Sequence, residues 1–536
     1  MKYLPTHVSR LAYNPTFLTI TIVLLTIPAF LINLGVEPLI DDEGIRGLVS
    51  LEMIIRHNFL IPTEGGELYF NKPPLYNWIL ILFFKLLGSY SDSVLRIPTV
   101  VFLYLYSASI FLIIRNIYGN RIGFLSALVF LTCGRVLFYD SFKGLIDMSF
   151  SWLVYLSFFS IYYFSKKEKY LQMFLIAYLL TALGFLLKGI PAIAFLGITL
   201  LTWFIAEKKW KKLFSWQHVV GLLLFFIVLV AYYYNYYLKN PDYFLTLVKT
   251  IFNESTKKTI IGTGISRGIV HLFTFPFEFF YHFFPWTIFV IYLFQKEAAR
   301  AIWNEPFLRF SIITFLSNIV VYWISPATYA RYLFMFLPLA FVPLIFLHLR
   351  EEVRQTALYK FVNVTFIVMF AIVLIGSTLV PVVNVTRIVP WAALKGSGLF
   401  VSVALILYLY LKNRKFRFEY MIILLLVARV GFDWFIIPSR YNGSLQPMVK
   451  GEVKHINAVV GNDNLYYDLA FPKFKTPEMY YLLVQKQSLI CYDTLYNKKG
   501  YYLVYDTSKI SNLKYKKLGK LHTRKGGAVY SLVKFE

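Results

Sequence analysis

Apolar residues along this chain gather in runs of about 17 or more, the length that carries a helix across a lipid bilayer. Thirteen such runs can be marked, near residues 14–35, 93–114, 122–138, 145–165, 170–187, 189–206, 216–238, 269–293, 307–323, 330–348, 359–381, 395–411 and 418–436. The first, FLTITIVLLTIPAFLINLG, is followed by no small-residue cleavage signal and reads as a retained helix. Beyond about residue 437 the pattern changes to mixed polarity. SLICYD (488–493), YYLVYDT (501–507) and GAVYSLVKF (527–535) read as short strands, and QPMVKGEVKHINAVV (446–460) as a helix. The expected architecture is a polytopic α-helical membrane domain over 1–436, with an outer loop at 36–92, followed by a small α/β domain over 437–536. No internal repeat of the inverted-transporter kind is visible.

Composition agrees with lipid as the solvent, since 58% of residues are hydrophobic and only 15% charged. The net charge of +26 resides in Lys and Arg set between apolar runs, which points to membrane lipids and away from nucleic acid. Arg115 and Arg121, KKEK at 166–169, EKKWKK at 207–212, Lys296 and Arg300, and the basic stretches at 348–360 and 411–417 fall on one side of the membrane if thirteen helices are counted. The positive-inside rule then puts the N-terminus in the cytoplasm. Residues 36–92, 139–144, 239–268, 324–329, 382–394 and everything after 437 are expected on the outer face. Cys133 and Cys491 do not make a disulfide framework, and no ring of His or Cys calls for a catalytic metal.

The outer loop IDDEGIRGLVSLEMIIRHNFLIPTEGGELYFNKPPLYNW (40–78) is polar between two greasy parts of the chain. From Glu43 to Ile55 it fits an amphipathic helix lying along the interface. Asp41, Asp42 and Glu43 stand at its start, where carboxylates cap and are favoured by the helix dipole. A carboxylate there can also act as a base at the mouth of a membrane cavity. Pro73 and Pro74 stiffen the entry to 75–88, a segment too short for a comfortable span and read as re-entrant or interfacial. They hold Lys72 near the headgroups, either as a snorkelling lysine or as a phosphate ligand. Asp147 is expected just inside the fourth run, where a carboxylate is costly; it either pairs with Lys143 one turn away or has a function. Trp286 and Tyr329 read as interface anchors, and His57 is left unassigned.

At these residues the chain resembles glycosyltransferase family 39 of the GT-C superfamily, which includes the bacterial lipid A aminoarabinose transferase and the protein O-mannosyltransferases. The resemblance rests on the acidic pair after the first helix, Glu52-Met53, Pro62 and YFNKPPLYNW at 69–78. It extends through SVLRIPTV (93–100), DSFKGLIDMSF (140–150), FLLKGIPA (185–192), FPWT (284–287) and ISPATYARYLFMFLPLA (324–340). Two departures stand out. DEGIR puts Arg46 one residue later than the family's usual Asp-Glu-x-Arg, and Asn71 stands where near relatives often carry glutamate.

What the resemblance implies is transfer of a sugar from a polyprenyl-phosphate donor to an acceptor, lipid A or another lipid, a glycan or a protein, at the outer face of the bacterial inner membrane. The donor phosphate needs cations at headgroup depth, and Lys72, Lys188, Arg267 and Arg331, then Arg46 and Arg96, are the candidates. Asp42 is the expected base, Glu43 its helper or a structural cap, and Asp147 an acceptor ligand or the orienter of a cation. Attack opposite the phosphate would invert the anomeric carbon. No cofactor is required, although a divalent metal is compatible, and a monomer is expected. A transporter or flippase for polyprenyl-linked lipids is the main alternative, and an assembly factor the second.

Overall fold

In a lipid environment the backbone must satisfy its own hydrogen bonds, so the apolar runs fold as helices. The computed structural model describes residues 14–256, 265–468, 476–493, 495–523 and 528–535. The helices are α1 (Pro15–Leu31), α2 (Asp41–Ile55), α3 (Leu75–Leu87), α4 (Asp92–Tyr118), α5 (Asn120–Thr132), α6 (Asp147–Lys166), α7 (Tyr170–Lys188), α8 (Pro191–Ala206), α9 (Trp216–Lys239), α10 (Pro241–Thr256) and α11 (Ile265–His282). After a 3₁₀ stretch (Trp286–Phe294) come α12 (Pro306–Trp323), α13 (Leu337–Arg354), α14 (Ala357–Leu379), α15 (Ala392–Lys412) and α16 (Arg417–Asn442). Proline opens α1, α8 and α12, where its missing N–H costs nothing. Leu222, Leu223, Phe226, Ile227 and Val230 of α9 are exposed, as a lipid-facing side requires.

The chain is a polytopic α-helical membrane protein. The expected count of thirteen spans is not reached by length and composition: eight described helices are long and apolar enough to cross, nine if one bent pair is counted. Three physical reasons account for the difference. α1, α5 and α8 have 17, 13 and 16 residues, short of the roughly 20 that a bilayer asks for. α6 has the length, but serines and tyrosines dilute its hydropathy. The expected single span at 269–293 is broken, its two halves meeting at 120° where Pro285 ends the helical run. α16 runs to Asn442, beyond the expected end at 436.

The segment 36–92 contains α2, a two-stranded turn of β1 (Thr63–Glu64) and β2 (Glu67–Leu68), and α3, which has 13 residues and ends on Gly88 in the left-handed region (φ 59°). The C-terminal domain begins with α17 (Gln446–Val460). Its sheet has the order β4-β3-β5-β7-β6, built from β3 (Leu465–Tyr467), β4 (Cys491–Tyr492), β5 (Tyr501–Val504), β6 (Tyr515–His522) and β7 (Val529–Phe535). β3 pairs parallel with β4 and β5, whereas β7 pairs antiparallel with β5 and β6. α17 packs on β6, and α18 (Thr476–Lys486) packs on α17 and on α2.

Candidate active site

α2 carries the acids, and its surroundings differ from those of a helix floating at the interface. Ser50, Glu52, Arg46 and Glu43, polar residues that a wet face would present to water, are all buried. The segment 63–69, α3, α4 and Gly144 take up these polar groups, and α18 approaches the same helix across Gly44 and Gly47. A Cβ at Gly47 would lie 2.6 Å from the Tyr480 ring, and one at Gly44 would lie 3.0 Å from the Pro477 backbone nitrogen. The Tyr480 hydroxyl donates to the Tyr90 carbonyl at 2.7 Å. Two glycines therefore give the C-terminal domain a smooth seat on the helix that begins with Asp41 and Asp42.

Glu43 is sealed beneath that seat. Its carboxylate accepts from Arg96 Nε (2.8 Å) and Nη2 (3.1 Å), from the Gly144 N–H (2.7 Å) and from the Ile40 N–H (2.9 Å). Arg96 spends a further donor on the Leu34 carbonyl, and both side chains of the pair have no exposed surface. Burial alone would raise the Glu43 pKa, but the charge and hydrogen bonds of Arg96 and the two backbone N–H groups outweigh it and hold the carboxyl below its ordinary range. One residue earlier, Asp42 is 58% exposed.

Asp42 opens an alternating chain of charges. Arg331 Nη2 reaches Asp42 Oδ2 at 3.0 Å, Arg331 Nε reaches Asp147 Oδ2 at 3.1 Å, and Lys188 Nζ reaches Asp147 Oδ1 at 2.5 Å. Asp147 begins α6, Lys188 ends α7, and Arg331 lies in the 3₁₀ stretch Ala330–Phe336 that leads into α13. Three separate helix ends thus meet at the head of α2. Asp147 pairs with Lys188 and Arg331, not with the Lys143 that its own sequence neighbourhood offered. Aromatic rings frame the cations: the Arg331 guanidinium lies 4.3 Å from the Tyr329 ring, and Lys188 Nζ lies 3.8 Å from Tyr332 and 5.1 Å from Phe150. Tyr329, expected as an interface anchor, is 48% exposed and also lies against Arg331.

Arg46 sits on the same helix, buried, with Nη2 donating to the Tyr69 hydroxyl and its guanidinium 5.2 Å from that ring. Burial pushes the Tyr69 phenol up to about 12 despite Arg46. Arg46 Nη1 is buried with no hydrogen-bond partner among the described residues, a donor that wants an anion. Glu52 is used structurally, accepting from Thr63 Oγ1 (2.5 Å) and from the Gly65 and Gly66 N–H groups, which closes the β1–β2 turn. Lys72 is half-buried, with Pro73 and Pro74 buried beside it. Arg267 is exposed near the start of α11, and no contact described here brings it to the others.

Beside this cluster α7, α9 and α10 enclose an apolar cavity of about 740 Å³, lined by Phe185, Ile190, Leu229, Tyr233, Phe244 and Ile251 among others. Lys188 stands between Phe185 and Ile190 in the chain, so the cluster lies at the edge of the groove. Phe70 and Leu75, which flank Lys72 and its prolines, pack against the same group of aromatics. Sequence reasoning missed Tyr332, whose ring lies against Lys188. The Tyr329–Arg331–Tyr332 spacing was the available signal.

The comparisons with known proteins agree with this architecture. Residues 71–234 match the family model described as dolichyl-phosphate-mannose-protein mannosyltransferase. The crystal structure of ArnT from Cupriavidus metallidurans bound to undecaprenyl phosphate superposes with a TM-score of 0.71 over 97% of this chain and 98% of that one, at 14% identity. The apo form of that protein gives 0.69 at 13% identity. Among curated sequences, an uncharacterized Aquifex aeolicus protein is 23% identical over 54% of this chain and 56% of its own length. An undecaprenyl phosphate-alpha-4-amino-4-deoxy-L-arabinose arabinosyl transferase from Erwinia tasmaniensis is 28% identical over 34% of each. The chain thus spans about half, or a third, of the curated relatives it matches. The fold is that of the ArnT structure from Cupriavidus metallidurans. The match over residues 71–234 and the likeness in fold to ArnT run in the direction that the motifs implied.

Proposed function

We propose that this protein is a membrane glycosyltransferase that takes a sugar from a polyprenyl-phosphate donor and passes it to an acceptor at the outer face of a bacterial inner membrane. The observation that carries this reading is the charge chain Asp42, Arg331, Asp147 and Lys188 at the edge of a 740 Å³ apolar groove. The groove suits an isoprenoid tail. Lys188 and Arg331, with the unpartnered Nη1 of Arg46 and with Lys72, suit the phosphate.

In this reading the acceptor hydroxyl or amine attacks the anomeric carbon, its proton passes to Asp42, and the bond from that carbon to the phosphate oxygen breaks. The electron pair leaves on the polyprenyl phosphate, whose growing charge the cations offset. Attack opposite the leaving group inverts the carbon. Phosphate oxygens compete with the two aspartates for Arg331, which loosens the Asp42 pair as donor binds. Asp147 orients Lys188 and Arg331, while Glu43 and Arg96 hold α2 and touch neither substrate. Arg267 has no assigned part.

The finer topology belongs to the same reading: thirteen crossings with α1, α5 and α8 as thin spans, the N-terminus in the cytoplasm, and the domain after α16 on the outer side. Residues 1–13 lie outside the described ones. The acceptor is a lipid, a glycan or a protein. Supplying membranes that contain the protein with a panel of polyprenyl-phosphate sugars and a host lipid and protein extract, and following the sugar by mass, tests the reading. Transfer that disappears in Asp42→Asn while donor binding persists supports it. Transport of labelled lipid in vesicles without any transfer would replace it with a flippase.

A further inference from the structure

A second cavity lies away from the charge cluster, at the seam where the C-terminal domain meets the membrane domain. Its volume is about 520 Å³, and Ser89, Ser91, Asp92, Lys450, Tyr481 and Gln485 are among its lining residues. They come from the α3–α4 turn, the start of α4, α17 and α18, so neither domain forms the cavity alone. Asp92 is 7% exposed. Its Oδ2 accepts from Lys450 Nζ (2.7 Å), Gln446 Nε2 (3.2 Å) and the Tyr481 hydroxyl (3.3 Å). All three donors reach that one oxygen, which leaves Oδ1 to the cavity that Asp92 lines.

The chemistry of the lining selects the ligand. Asp92 and Lys450 are the only charged residues among those that line it, and they neutralise each other, so no net charge favours an anion or a cation. Hydroxyl and amide groups dominate the rest, so hydrocarbon would strand polar groups. A carboxylate with an open oxygen, serine hydroxyls, a glutamine and a tyrosine ring together match the donors, acceptors and apolar face of a pyranose.

We infer that this seam cavity binds a neutral, polyhydroxylated ring, a hexose of the acceptor, apart from the site where transfer occurs. Its use by an acceptor rests on the transferase reading, but the binding does not. Asp92 lies one helical turn, about 6 Å along the axis, from Arg96, and Arg96 grips Glu43, the neighbour of Asp42. The cavity therefore shares a rigid support with the transfer site, and a glycosylated acceptor held there is anchored to the frame of α2.

Saturation-transfer NMR on the full chain in nanodiscs, with methyl β-glucopyranoside as the probe, tests the inference. Saturation of the ring protons is expected, with affinity reduced about tenfold in Asp92→Asn. Gln485→Ala, on an exposed side chain, should weaken binding severalfold and serves if the first variant fails to fold. No saturation in the wild type, equal binding in the folded variants, or displacement of the probe by inorganic phosphate would overturn the site. With an acceptor in hand, Gln485→Ala should raise its KM and leave kcat unchanged; an unchanged KM overturns the acceptor role. A wild type that binds the hexoside and transfers nothing defeats the transferase reading and leaves the sugar site in place.

Discussion

Asp42 and Glu43 are neighbours in the chain with opposite surroundings. Glu43 has four donors and no exposed surface, whereas Asp42 is more than half exposed and is held by one nitrogen of a shared arginine. A carboxylate whose lone pairs are already committed cannot take up a proton without breaking its pair, and a buried pair broken on one side leaves an uncompensated charge. A base needs the other arrangement, reachable and held loosely enough to exchange partners. In the proposed reading the acidic pair divides its labour: one carboxylate fixes the helix, and the other acts from it as the base.

Glu43→Gln is the hardest blow to that division. It leaves Arg96 buried and uncompensated, at a cost of roughly 3–5 kcal/mol, so folded yield and unfolding temperature in detergent should fall together. A variant as stable as wild type with transfer abolished would move Glu43 into the chemistry and dissolve the contrast. Asp42→Asn should do the reverse. Thermal unfolding should stay close to wild type while transfer falls by about 10²–10⁴-fold, the usual worth of a positioned base. Retention of full activity would remove Asp42 from that role.

Gly47→Ala probes the seat rather than the pair. Its added methyl would meet the Tyr480 ring at 2.6 Å, and overpacking of this kind costs about 1–3 kcal/mol. Because α18 and α2 must part slightly, the expected result is a modest loss of stability with a fall in kcat and little change in donor KM. Pairing it with Tyr480→Ala, which removes the obstacle, should restore part of the rate. Absence of any rescue would mean that the C-terminal domain rests on α2 without setting its position.

How much of this was legible depends on distance along the chain. The cluster of Asp42, Asp147, Lys188 and Arg331 could be assembled as candidates because each stands in a short motif of the resemblance. That they form one alternating chain could not, since the contacts join residues 41 to 289 positions apart. The partner of Glu43 was hidden for the same reason. α2 read as amphipathic and interfacial because the partners of its polar residues, Tyr69, Thr63, Arg96 and Gly144, stand 11 to 101 positions away, and α18, which meets it at Gly44 and Gly47, lies farther still in sequence. In the C-terminal domain, β5 and β7 showed apolar patterns, but β6 carries Lys516, Lys517 and Lys520, the charges that protect an edge strand and disguise it. β3 has three residues, too few for any period to register. The two span counts part where thin helices, the diluted hydropathy of α6 and a proline break depart from the uniform apolar length that a criterion of length and composition assumes.

Acid gives the mildest test of the comparison. The Glu43 carboxyl lies below its ordinary value of 4.5 in the folded protein, so the unfolded chain takes up its proton first as the pH falls. Stability from this pair is accordingly complete above about pH 5 and declines only as the pH drops through 4.5 toward the lower folded value. Unfolding temperatures measured from pH 7 down to pH 3 should be flat and then fall, and the pair's share of that fall should vanish in Glu43→Gln. In Asp42→Asn the decline should persist, because the variant leaves the Glu43–Arg96 pair intact. If Asp42→Asn removed the decline and Glu43→Gln did not, the carboxylate that fixes the helix would be the exposed one, and the roles assigned to the two neighbours would have to be exchanged.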